Sequence, residues 1–414
     1  MIIKPNLLLN DPFIMDGLAS GVMRRCGGGI RWAAGQGPHP GAWVRHLLET
    51  PETTDSLMRG QMPTLLRGAR SSIQAVNQLG QVSQTLSNVL QLSQVAAAAS
   101  VLNLGVSVVG FAYMGYKLHQ IQNALASMQD VMVAGFDRIE GKLDKMSGQL
   151  VYLVLLVEEN AQEQQRLGDA ITELHRAFLV AHVADLQAMM LDRSRFPDGQ
   201  PKEAILTASR VRLKLSDQAL RHTPELDARV LLLADISTQG WAAATAAEAN
   251  LLLEIGQARE ARQLLESEAQ KFTQHAQKWA GALLRNERPQ LATAYRFAAP
   301  RFAEHVSPAR VERICAIAPE DRELAEDGAR RKRRAAELEL EMSHSAELGP
   351  AWDHRQLAIA EYLDGLSELS ARLDSLQAFA AECEIRNVSS HELLPEPDAE
   401  AGLYLLKPAE SKDQ

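Results

Sequence analysis

The sequence predicts a mainly α-helical chain: a long-helix hairpin or coiled-coil bundle, with a small Gly-rich β module at the N-terminus and a helical domain at the C-terminus. Three observations point there. Ala, Leu, Gln and Glu dominate and aromatics make up only 5%, and such residues lose little side-chain freedom in a helix. Residues 71–192 contain no proline. Apolar residues recur at helical spacing along most of the chain.

Residues 1–62 stand apart. Gly17, Gly21, Gly27, Gly28, Gly29, Gly35 and Gly37 crowd this stretch together with Pro38 and Pro40. Short strand-compatible runs alternate with them, at Val22–Cys26, Ile30–Trp32 and Trp43–Arg45. Glycine supplies turn conformations that other residues avoid, so a two- or three-strand hairpin-like module is expected. The Gly27-Gly28-Gly29 run has no Lys-Ser/Thr after it. It therefore reads as a hairpin turn rather than a phosphate-cradling loop.

From Ser71 to Tyr116 there are 46 residues without one Asp, Glu, Lys or Arg. The first half, 71–94, is amphipathic with a neutral polar face. The second, 95–116, is apolar nearly all round and contains Val95, Leu102, Leu104, Val108, Val109, Gly110, Phe111 and Tyr113. As a helix its 22 residues span ~33 Å, close to the hydrocarbon thickness of a bilayer. Three fates satisfy such a segment: a membrane, the core of a bundle, or a seam between copies. Ser100, Asn103 and Ser107 make insertion marginal.

A heptad stripe follows at once. Leu118, Ile121, Leu125, Met128 and Met132 are spaced 3-4-3-4. After Phe136 the pattern resumes through Ile139, Leu143, Met146, Leu150, Leu153 and Val157. The four-residue step at Phe136 is a stutter, which locally relaxes a supercoil. An intermolecular coiled coil and an internal antiparallel seam both fit residues 118–157. Periodicity continues to Leu191, and the Phe196–Pro201 segment stops it.

Residues 202–390 read as shorter helices forming a regulatory or partner-binding domain. Thr223-Pro224 and Ser307-Pro308 each place a capping residue before a first-turn proline, while Gly256 and Gly349-Pro350 mark turns. The stretch Asn250–Leu265 resembles the turn and second helix of one tetratricopeptide unit, without a 34-residue repeat elsewhere. Ile359, Tyr362, Leu366, Leu369, Leu373, Leu376 and Ala380 form a clean 3-4 stripe. Residues 395–414 are expected to be a flexible polar tail.

The chemistry-bearing signals are few. Arg330, Arg331, Lys332, Arg333 and Arg334 form a basic run that suits phosphate or lipid headgroups. Glu337, Glu339 and Glu341 follow closely and also make it a solvated, self-paired helix. A net charge of −9 gives no general attraction to nucleic acid. Cys26, Cys315 and Cys383 form neither a disulfide framework nor a metal pair. No HExxH, GxSxG or Walker-type pattern occurs, and no nucleophile–base pair can be named, so neither an enzyme nor a cofactor or metal is expected. Without a signal-peptide pattern, cytoplasmic synthesis is expected, with membrane association open.

In layout, Val95–Tyr116 followed by the Leu118–Val157 stripe resembles the helical pore-forming toxins of the cytolysin A type. The resemblance covers under a third of the chain and departs from it in the Gly-rich N-terminal module and the C-terminal helical half. It implies an effector that sequesters an apolar element, releases it into lipid and self-assembles. The expected partners are membrane lipid, further copies of the chain, and a protein on the C-terminal helices. The alternative is a soluble coiled-coil scaffold with 95–116 as its bundle core.

Overall fold

The computed structural model describes residues 6–7, 11–33, 35–49, 201–226, 228–285, 288–343, 348–394 and 403–407, with scattered positions of a helical stretch between 182 and 196. The membrane-segment residues Val95 to Tyr113 and the seam residues Leu118 to Leu150 lie outside the described residues, as does nearly all of 71–192.

Strand β1 is Asn6–Leu7, helix α1 Pro12–Ala19, and strands β2, β3 and β4 are Met23–Cys26, Gly29–Trp32 and Trp43–Glu49. The three strand-compatible runs of the sequence become β2, β3 and β4. Cys26 pairs with Gly29, so Gly27-Gly28 is the two-residue turn of a hairpin. After the central segment come α2 Lys202–Arg221, α3 Ala228–Glu254, α4 Ala258–Leu284, three short 3-10 turns between Pro289 and Phe302, α5 Pro308–Ile317, α6 Glu326–Met342, α7 Pro350–Arg386, α8 Ser390–Leu393 and β5 Leu403–Leu406.

The sequence punctuation mostly explains where helices begin and end. Ser307 and Gly349 precede Pro308 and Pro350, which open α5 and α7. Gly256, at φ +76°, turns the chain between α3 and α4. Asn387 ends α7 in the left-handed region at φ 54°. Thr223-Pro224 is a correction: α2 has already ended at Arg221 with His222 extended, and α3 starts only at Ala228. Pro224 therefore lies in the connection, not in a first helical turn.

Helix α2 packs mainly on α3, α4 on α7, and α5 on α7. The 37-residue α7 is buried on two unlike faces. The stripe from Ile359 to Ala380 lies in the apolar core beside Trp279 and Phe272. A second row, Asp364, Glu368, Ser375 and Glu382, is also buried but polar, and it meets α5 and the sheet.

Two domain expectations are corrected by the sheet, whose order is β1-β5-β4-β3-β2 with every pairing antiparallel. The 395–414 tail is not uniformly loose: Leu403–Leu406 forms the strand between β1 and β4, with Leu405 and Leu406 buried. Its four apolar residues satisfy the backbone edges of both neighbours and cover both sheet faces. Nor is 1–62 a self-contained β module. Its sheet needs a strand from the far end of the chain, and Leu48 and Leu406 share one apolar cluster with the helices. The described residues are thus mainly α-helical with a small five-stranded antiparallel sheet.

Candidate functional site

The junction of β2, α5 and α7 gathers a dense set of buried charges. The Gly27 turn lets the hairpin lie directly on α7. Gly27 sits at φ +55°, and a Cβ there would run into the backbone of Ala371 and lie 2.7 Å from the Arg372 nitrogen. Only glycine meets both demands. The neighbouring Gly28 N–H donates to Ser375 Oγ at 2.8 Å, and that hydroxyl reaches the Ala371 carbonyl at 2.7 Å.

Charge completes the latch. Both terminal nitrogens of Arg25 donate to Glu368, and Arg372 Nε adds a bond at 2.7 Å. One turn earlier, the fully buried Asp364 accepts from Arg310 Nε at 2.9 Å and Arg313 Nε at 2.6 Å. Burial alone pushes the Glu368 carboxyl up, but Arg25, Arg372 and Arg313 outweigh it and hold it far below the carboxylate range. Farther along α7, His46 Nε2 lies 3.9 Å from Glu382 Oε1.

A cleft of ≈ 390 Å³ opens at this junction. Leu18, Met23, Pro308, Ala309 and Ala316 give it an apolar wall, while Arg24, Arg25, Arg313, Glu312 and Glu368 supply the polar one. The Arg24 side chain makes no hydrogen bond or ion pair among the described residues, and the Nε atoms of Arg24 and Arg25 are buried without an acceptor among them.

No family model matches the chain, and comparison with curated proteins and with solved structures gives no match. The site is therefore read from its own chemistry.

The basic run falls on α6, where four of its five members are ion-paired. Arg330 meets Glu326 at 3.0 Å, and Arg333 and Arg334 both meet Glu337. Lys332 turns inward to the buried Asp321 at 2.7 Å, where Thr293 Oγ1 and the Ala294 N–H also donate. Arg331 alone has no ion pair among the described residues. Lys332 thus acts as a structural pin, and the surface charge of α6 is largely neutralised by its own helix.

Two further polar clusters lie inside the bundle. Arg212 bridges Glu248 at 2.7 Å and Glu268 at 3.0 Å, and Trp241 Nε1 and Lys271 also bond Glu268. This network ties α2, α3 and α4 together. His275 contacts Thr238 Oγ1 at 3.2 Å, and burial, helped by Lys278 and His222, pulls its pKa down to about 4. Thr238 and His275 are 0% and 3% exposed, which leaves a substrate no path to that hydroxyl–imidazole pair. Among the described residues no group of three His, Cys, Asp or Glu side chains is placed to hold a metal.

Sequence reasoning missed the junction. Its signals are visible only afterwards: paired arginines at Arg24-Arg25 and Arg310/Arg313, and carboxylates on α7 at positions where an apolar stripe was already assigned to the opposite face.

Proposed function

We propose that this chain is a membrane-engaging effector in which residues 95–116 enter lipid and residues 118–157 bring copies together. On this reading the described residues within 11–49 and 182–407 are the base to which that segment is joined. One observation carries the reading. Leu48, before residue 50, and Leu186 and Met189, after residue 181, belong to the same buried apolar cluster. The described residues on the two sides of 50–181 thus share one core. Among the described residues no helix is long and apolar enough to cross a membrane, so on this reading the lipid contact falls to 95–116. Burying the apolar side chains of that 22-residue run is worth well over ~10 kcal/mol at ~25 cal/mol per Å², which excludes leaving it in water.

A soluble scaffold is the second reading, and α2 favours it. Leu206, Leu213 and Leu220 lie seven residues apart on its exposed face, an apolar row open to another helix. Flotation separates the two. The full chain is expected to rise with liposomes and Gly110→Arg to remain at the bottom. Failure of the wild-type chain to float returns the assignment to the scaffold.

A further inference from the structure

Helix α2 buries one side against α3 and leaves another in water. Its buried apolar residues, Ala204, Ala208, Val211, Leu215 and Ala219, follow the helical period. On the exposed side stand Leu206, Leu213 and Leu220, at 48%, 57% and 45% exposure. Seven residues are close to two full turns, so the three leucines form one straight row about 21 Å long. Single exposed leucines need no explanation, but an aligned row of them on a helix whose other exposed positions are polar marks a contact surface.

Charge runs along one edge of that row in a fixed order. Glu203, Arg210, Asp217 and Arg221 are all exposed, and at about 100° per residue all four fall on the same side of Leu213. Their signs alternate from the first turn to the last: negative, positive, negative, positive. Turned end for end, that order is its own complement. A second α2 lying antiparallel about a two-fold axis at Leu213 sets Leu213 against its copy and Leu206 against Leu220. The same placement brings Arg210 beside Asp217 and Glu203 beside Arg221, each pair occurring twice. A parallel copy would set every one of these charges against its like. Glu203 and Arg210 have no ion pair among the described residues. Asp217 holds Arg221 at 2.7 Å in an exposed pair, and a carboxylate has room for a second donor. Of the helix's other exposed charges, Lys202 projects past the end of such a copy, and Lys214 lies outermost on the edge, where solvent screens it. The opposite edge carries the small Ser209 and Ser216, which allow close approach.

We infer that α2 is a homodimerisation surface, occupied by the α2 of a second copy packed antiparallel about Leu213. A single helix pair is a small interface, so the dimer is reversible, with a Kd on the order of micromolar. The inference supplies the partner that the scaffold reading leaves open. It holds whether or not 95–116 enters lipid, since none of its residues lies in 50–181.

Oxidative cross-linking of single-cysteine additions to the full chain tests the geometry. The wild-type chain, in which Cys315 and Cys383 are buried and Cys26 half-buried, gives the background. Leu213→Cys is expected to link to its own copy. Leu206→Cys and Leu220→Cys should each fail to self-link, because each would lie about 21 Å from its copy and a disulfide needs Cα atoms within about 7 Å. Mixed before oxidation, those two variants should link to one another. Sedimentation velocity tests the charge order. Arg210→Glu sets carboxylates together at two places and should weaken the dimer at least about tenfold, while Arg210→Glu with Asp217→Arg should restore it. All these positions are exposed, so folding is not at stake. Equal self-linking at all three positions would mean a parallel pair, and no linking at any would leave the row to a different protein; either result overturns the inference. A dimer indifferent to Arg210→Glu would be assembled elsewhere, as through 118–157, and overturns it too while leaving the membrane proposal standing.

Discussion

Glu368 has almost no exposure to water, and an ion in that position persists only while its counter-charges stay in contact. Replacing it by Gln keeps the shape and removes the charge on which the buried Arg25 and Arg372 converge. Glu368→Gln is therefore expected to lower stability by about 3–5 kcal/mol in urea denaturation, since breaking a buried pair costs more than never forming one. His275 gives the complementary acid-side effect. Its folded pKa of about 4 lies below the unfolded 6.5, so the unfolded chain takes up a proton first as pH falls. Its stabilising contribution is complete above 6.5 and declines down to about 4. Going from pH 7.5 to 5 should remove about 2 kcal/mol through this residue, a loss that His275→Gln abolishes. His182 and His222 are also held low and act in the same direction, so the comparison with the variant isolates His275. Glu368 adds nothing in that window. Its depressed pKa makes its contribution fade only below the ordinary carboxylate value near 4.5.

At the scale of elements, β5 is the strand on which the sheet depends. It bonds β1 on one side and β4 on the other, pairing Leu405 with Asn6 and Leu47. A chain ending at residue 400 should lose β1 from the sheet and expose the edge of β4, and its melting temperature should drop by several degrees. An unchanged melting curve would show that the pairing contributes little. The same element shows what a sequence does and does not reveal. The α7 stripe was legible because seven apolar residues repeat the helical period over six turns. The strands β2 to β4 were legible because glycines bracket them. A four-residue strand has no period to detect, and Leu403–Leu406 meets its partners across more than 350 residues of chain. Only the fold brings that pairing into view. The polar face of α7 was hidden for a related reason: Asp364 and Glu368 read as solvent positions until α5 and β2 cover them.

At the scale of the whole molecule, one apolar cluster takes in Leu48, Leu186, Met189 and Leu406 with the C-terminal helices, and in sequence the charge-free run and the heptad stripe fall between Leu48 and Leu186. The character of that middle segment was plain from composition, because 46 residues without a charged side chain are conspicuous in any chain. The arginine cleft was not, since its members come from three stretches separated by up to 350 residues. On the proposed reading, a stable base presents 95–116 to lipid without itself entering the bilayer. Hydrogen–deuterium exchange of the full chain, with and without liposomes, reads this out segment by segment. Vesicles are expected to slow exchange across 95–116 while peptides from α4 and α7 stay unchanged. Exchange across 95–116 that ignores the vesicles, or protection that appears in α4 and α7 instead, would contradict it.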